Sequence, residues 1–157
     1  MKKIDVGQTL GILANIGVIA GILFLAFEIQ LSNRIAIASS EIGIRNSFLS
    51  VNQSIYTNTD VAELLAKATD SNVEFSTVEE IKIYSIVLAL MNTWLSVEIA
   101  YANGLVPPET FGVIEDDART FLAEHPATLP VWHRAIDDFP ALAPTEVFKT
   151  LNRVLNE

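Results

Sequence analysis

Cysteine is absent from the 157 residues, and basic residues are few: ten Lys and Arg stand against nineteen Asp and Glu, for a net charge of −9. Without cysteine the chain has no disulfide, no thiolate nucleophile and no cysteine-ligated metal. Because the few basic residues are scattered, we do not expect binding to nucleic acid or broad contact with anionic lipid headgroups.

Sequence motifs that carry chemistry are also lacking. The glycines fit neither a phosphate loop nor a dinucleotide fingerprint, and no serine lies in a nucleophile elbow. His133 and Asp137 have the i, i+4 spacing of a metal-ligand pair, but such a pair on an acidic surface is more typical of solvated side chains. The doublets Asp116-Asp117 and Asp137-Asp138 indicate solvated helix faces. The sequence therefore predicts no catalytic residue, no cofactor and no metal site.

Charge is missing altogether from Leu10 to Phe27, eighteen residues that read LGILANIGVIAGILFLAF. As a helix this stretch would rise about 27 Å, close to the roughly 30 Å hydrocarbon core of a bilayer. We therefore expect a single transmembrane helix, with residues 1–33 as the membrane anchor and residues 34–157 as a helical domain. A cleaved secretory signal is the alternative, because Lys2 and Lys3 precede the run, but its apolar part would be unusually long.

One face of the expected span consists of small residues. At 100° per residue its glycines and alanine fall within a sector about 120° wide, which Asn15 borders and Glu28 follows. Glycine lets two helix backbones approach closely, and helix association in lipid depends on such contacts. We call the following residues the small-residue face: Gly7, Gly11, Ala14, Asn15, Gly17, Gly21 and Glu28. It predicts association with a second copy or with another membrane protein, although glycine is also simply common in membrane helices.

The two polar members of this face have different expected roles. Asn15 lies deep in the span, where its amide needs a hydrogen-bond partner that a neighbouring helix could supply. Glu28 lies just beyond the apolar run, at the level of the headgroups. Its carboxylate either faces water or takes part in an ion path or an interhelical hydrogen bond.

The rest of the chain predicts an all-α fold, with no strand signals. No Pro or Gly interrupts Ile22 to Ser40, so the first helix is expected to leave the membrane and continue to about Tyr56 as the first helix of a small bundle. Thr145 is expected to cap a final amphipathic helix.

A second long helix is predicted from Thr77 to Asn103. Ser76 and Glu79 have the spacing of a capping box at its start, and Gly104 follows its end. This helix is apolar enough to suggest a second span. Its uncharged window is short for a bilayer, however, so a central core helix is the favoured interpretation.

Several short stretches give the chain a resemblance to a known group. The segment Phe24 to Gln30 with Ser32, Asn33 and Arg34, and further residues near the ends of later helices, carry it: Glu98, Tyr101, Gly104, Leu105, Trp132 and Phe148. The chain resembles a large family of uncharacterised bacterial proteins that have one N-terminal membrane helix and a small all-helical domain. The resemblance implies that fold and a location in the bacterial cell membrane. No activity, ligand or catalytic residue is established for the family, so it implies no function.

The side of the membrane on which the domain lies is left open by the charges. Lys2 and Lys3 favour a cytoplasmic N-terminus, which would place the domain outside. Members of the family often carry several Arg after the span, which would favour a cytoplasmic domain, but this chain has only Arg34 and later Arg45 there.

Three classes of function agree with these observations. The first is a membrane-anchored structural or interaction protein that self-associates through the small-residue face, and it is the favoured one. The second is a small oligomeric channel or transport accessory subunit with Asn15 and Glu28 along a central path. The third is a ligand sensor or an enzyme of unknown type, for which a deep polar pocket in the helical domain would be the distinguishing observation.

Overall fold

The computed structural model describes residues 6–157, and most of these residues are helical. About 84% of the chain is helix, and no strand occurs among the described residues. The six α-helices are α1 (Val6–Thr57), α2 (Thr59–Lys67), α3 (Thr77–Ala102), α4 (Pro108–Glu124), α5 (Leu129–Asp137) and α6 (Glu146–Leu155). The predicted all-α class is confirmed, and so is the long first helix that continues into a small bundle.

The chain divides into two compact units, Met1–Ser39 and Ser40–Glu157. The described part of the first unit is the N-terminal part of α1, which is unbroken because proline is absent from it. Its large apolar side chains are exposed: from Leu10 to Ile29 each leaves between 53% and 66% of its surface uncovered.

The second unit is a bundle built around α3. Nine residues of α3 are buried, and the Trp94 ring at its centre stacks on Trp132 of α5 with 5.6 Å between ring centroids. Val147, Phe148 and Leu151 of α6 are fully covered on another side of the same core. The central position of α3 agrees with its interpretation as a core helix.

Local signals set the ends of α3 as predicted. The Glu79 amide donates to Ser76 Oγ at 3.4 Å, and Glu79 Oε2 accepts from the Ser76 amide at 2.8 Å, which completes the capping box. At the other end Gly104 has φ +67°, and the Leu105 amide donates to the Ala100 carbonyl at 2.8 Å. A glycine just past the helix adopts this left-handed turn without steric cost.

The start of α6 is capped twice. Thr145 Oγ1 accepts from the Phe148 amide at 3.3 Å, as the sequence predicts. The Glu98 carboxylate of α3 accepts from the amides of Glu146 and Val147, each at 3.0 Å. This second cap joins two helices that are far apart in sequence, and its negative charge lies at the positive end of the α6 dipole.

Candidate functional site

The small-residue face lies entirely on the N-terminal part of α1. Each of its members is exposed: Gly7, Gly11, Ala14, Asn15, Gly17, Gly21 and Glu28. A methyl group added at Gly11, Gly17 or Gly21 would meet no atom within 4 Å. The helix therefore brings these residues onto one side, but no other described part of the chain packs at these three glycines.

The apolar surface around this face is long enough for a bilayer. Among the described helices two are long and apolar enough to cross a membrane: α1, whose most apolar window is entirely uncovered, and α3, half of whose window is buried in the bundle. Exposure therefore distinguishes the two helices better than composition does. Lys2 and Lys3, on which the orientation argument depends, lie outside the described residues.

A cavity of about 250 Å³ opens within the second unit, and it was not foreseen from the sequence. Residues of α1, α2, α3 and α4 contribute to its wall, and the part of α1 that does so lies between Phe48 and Ile55. Leu65, Leu90 and Trp94 are the most buried part of the wall. The other apolar lining residues are Phe48, Val51, Ile55 and Phe121.

Polar groups lie mainly at the exposed side of this cavity. Asn52, Thr120 and Glu124 are exposed, while Asp117 is half-buried. Asp117 Oδ2 accepts a long hydrogen bond of 3.4 Å from Trp94 Nε1. Two carboxylates thus line the cavity, and none of the described residues that line it is Lys or Arg.

The expectation that both acidic doublets are solvated is correct for Asp116, Asp137 and Asp138, which are exposed, and wrong for the half-buried Asp117. Asp116 and Asp137 are exposed and make no ion pair with a described residue. Asp117 lines the cavity, whereas the exposed Asp138 accepts a hydrogen bond through Oδ2 from the Tyr84 hydroxyl at 2.7 Å, which raises the pKa of Tyr84. Neighbours on a helix point about 100° apart, so Asp117 can face the cavity while Asp116 faces solvent.

The two histidines differ in their exposure. His125 lines the cavity, where Nδ1 lies 3.0 Å from the Leu65 carbonyl oxygen. A carbonyl can only accept, so Nδ1 carries the proton and Nε2 of a neutral ring is an acceptor. His133 is exposed on α5. Within residues 6–157, no group of three or more His, Asp and Glu side chains is arranged to hold a metal ion.

Arg119 and Arg153 take part in an ion-pair cluster. Glu115 accepts from Arg119 at 2.9 Å and from Arg153 at 2.6 Å, which lowers the pKa of Glu115. Arg119 also pairs with Glu157, and this pair lowers the pKa of Glu157. The cluster joins α4 to α6 and the chain end, and we interpret it as structural.

Within the bundle, the residues that carry the family resemblance have structural contacts. Glu98 caps α6, Gly104 forms the turn after α3, and Tyr101 stacks on Phe111 with ring centroids 5.1 Å apart. Trp132 and Phe148 are fully buried. No family model, curated protein or solved structure matches the chain. The resemblance therefore stays a prediction.

Proposed function

We propose that this chain is a membrane-anchored interaction protein: α1 crosses the bilayer once, and the acidic helical bundle is displayed at the membrane surface. The supporting observation is the continuous exposure of large apolar side chains from Leu10 to Ile29. A soluble protein rarely exposes an apolar surface of this extent, whereas lipid tails would cover it.

We further propose that the chain self-associates through the small-residue face. Open space beside Gly11, Gly17 and Gly21 is what a second helix needs in order to approach the backbone closely. The exposed Asn15 amide on the border of this face would find a hydrogen-bond partner in a second copy. Both features favour a homo-oligomer.

Membrane fractionation tests the anchor. We expect the chain to stay with the membranes after an alkaline wash. Ile16→Lys combined with Ile22→Lys should release much of it, because each lysine near the centre of a span costs about 3 kcal/mol. The matched control is Ile35→Lys combined with Ile42→Lys, which adds the same charges at exposed positions of α1 beyond the apolar run. Equal release of both variants would contradict the proposal.

Mass measurement in detergent or nanodiscs tests self-association. Gly17→Leu with Gly21→Leu should weaken the oligomer at least about tenfold, equivalent to roughly 1.4 kcal/mol. Ala20→Leu also adds bulk, but about 120° away from the centre of the face, so it should leave the oligomer intact. If the glycine variants associate as the unchanged chain does, the small-residue face is not the contact.

A further inference from the structure

The cavity of the helical bundle has the composition of a ligand site. Its walls combine buried apolar side chains with aromatic rings, and its polar groups are gathered toward the exposed side. Pockets for small molecules have this arrangement: an apolar body that covers the ligand and a few polar groups that orient it. The volume of about 250 Å³ exceeds the roughly 150 Å³ that holds benzene in an engineered apolar cavity.

The charges of the described lining residues favour a positively charged ligand. Asp117 and Glu124 are carboxylates, no Lys or Arg is among the described lining residues, and His125 Nδ1 in the same wall donates to the Leu65 carbonyl rather than to a carboxylate. Asp117 Oδ2 is shared with Trp94 Nε1 through a long contact, while Oδ1 makes no hydrogen bond with any described residue. A half-buried carboxylate with an unused oxygen favours a cationic hydrogen-bond donor.

The aromatic residues strengthen the same preference. Trp94, Phe48 and Phe121 line the cavity. The face of an aromatic ring attracts a cation, and rings also cover the apolar part of an amphipathic ligand. Phe48 and Phe121 are the half-buried rings of the wall, whereas Trp94 is fully covered and stacks on Trp132. An anion would meet two carboxylates and the negative ring faces, and a fully apolar ligand would leave the carboxylates without a partner.

We propose that the cavity between α1, α3 and α4 binds a small organic cation, an amine with a compact apolar or aromatic body. The ammonium group lies at Asp117 and Glu124, and the apolar body lies against Phe48 and Phe121, close to Trp94. The whole site lies within Ser40–Glu157. It therefore does not depend on the membrane anchor.

Intrinsic fluorescence offers a direct measurement, because the chain has only two tryptophans, and these stack on each other beside the cavity. The full chain in nanodiscs is titrated with phenethylamine, and binding is followed both by tryptophan fluorescence and by calorimetry. The same calorimetric titration of empty nanodiscs gives the heat of partitioning into lipid, which is subtracted. We expect saturable binding of one amine per chain. Neutral 2-phenylethanol should bind at least tenfold more weakly, and 3-phenylpropionate should not bind detectably.

Two matched variants test whether the Asp117 carboxylate binds the ammonium group. Asp117→Asn should weaken phenethylamine binding at least tenfold and remove most of the preference over 2-phenylethanol. Asp116→Asn removes the same charge from an exposed neighbour outside the cavity, so binding should change less than twofold. Helical circular dichroism checks that both variants are folded. Absence of saturable binding, a preference for the anion, or equal effects of the two variants would each overturn the proposal.

Discussion

At the scale of single residues, the two tryptophans show how differently two buried indole groups are satisfied. Both rings are fully covered and stack on each other. Trp94 Nε1 donates to Asp117, whereas Trp132 Nε1 is buried with no hydrogen-bond partner among the described residues. A buried donor without a partner costs free energy, so the two positions should respond differently to loss of the N–H.

Replacement by phenylalanine tests this difference. Trp94→Phe loses both ring volume and the hydrogen bond to Asp117, while Trp132→Phe loses similar volume but also removes an unpaired donor. We expect Trp94→Phe to be the more destabilising of the two by about 1 kcal/mol. Urea unfolding followed by circular dichroism measures the difference. Equal free energies of unfolding for the two variants would contradict this account.

Glu79 should make the stability of the bundle depend on acid. The Lys67 ammonium donates to both of its carboxylate oxygens at 2.9 Å, and with the Ser76 amide it lowers the pKa of Glu79 to about 2. The unfolded chain has a value near 4.3. Because the folded pKa is the lower one, the stabilisation is complete above about pH 4.3 and is lost as the pH falls toward 2.

The corresponding measurement is the urea midpoint between pH 5 and pH 2.5. We expect Glu79→Gln to be less stable at pH 5 and to lose less stability on acidification than the unchanged chain. Glu80→Gln, on an exposed neighbour in the same turn, should keep the original slope. A Glu79→Gln curve parallel to that of the unchanged chain would mean that the Lys67 pair contributes nothing.

At the scale of elements, two glycines with free space beside them show how backbone conformation alone changes the effect of a Gly→Ala substitution on stability. Gly104 follows α3 with φ +67°, whereas Gly112 lies inside α4, and an added methyl group would meet no atom within 4 Å at either position. Gly104→Ala should cost about 1 kcal/mol because an L residue is strained in the left-handed region. Gly112→Ala should instead stabilise by about 0.5 to 1 kcal/mol, since alanine favours helix. Thermal unfolding distinguishes them, and shifts of the same sign would show that conformation does not decide the result.

At the scale of the whole molecule, the division near Ser40 predicts what each part needs in order to fold. Among the residues that the structure describes, those of the buried core lie beyond this position, from Ile44 onward. We therefore expect a fragment of residues 40–157 to be a folded, water-soluble monomer, while the full chain requires lipid or detergent. Sedimentation and helical circular dichroism check both statements. A fragment that aggregates or lacks helix would show that the first unit contributes to the fold of the second.

Local structure in this protein follows from interactions between near neighbours. Ser76 with Glu79, Gly104 and Thr145 could be interpreted from sequence because a cap or a turn involves residues only a few positions apart. The extent of α1 was predictable for the same reason, since no proline interrupts it and the predicted end at Tyr56 lies one residue from the observed Thr57.

By itself the sequence determined the helices, their caps, the apolar first segment and the residues of the small-residue face, because each depends on periodicity or on composition along one helix. Only the tertiary structure decided that half of the apolar window of α3 is buried in the bundle, that Glu98 caps α6 and that Asp117 lines a cavity. These features arise where helices far apart in sequence meet, and helical periodicity shows only that a face is covered, not what covers it.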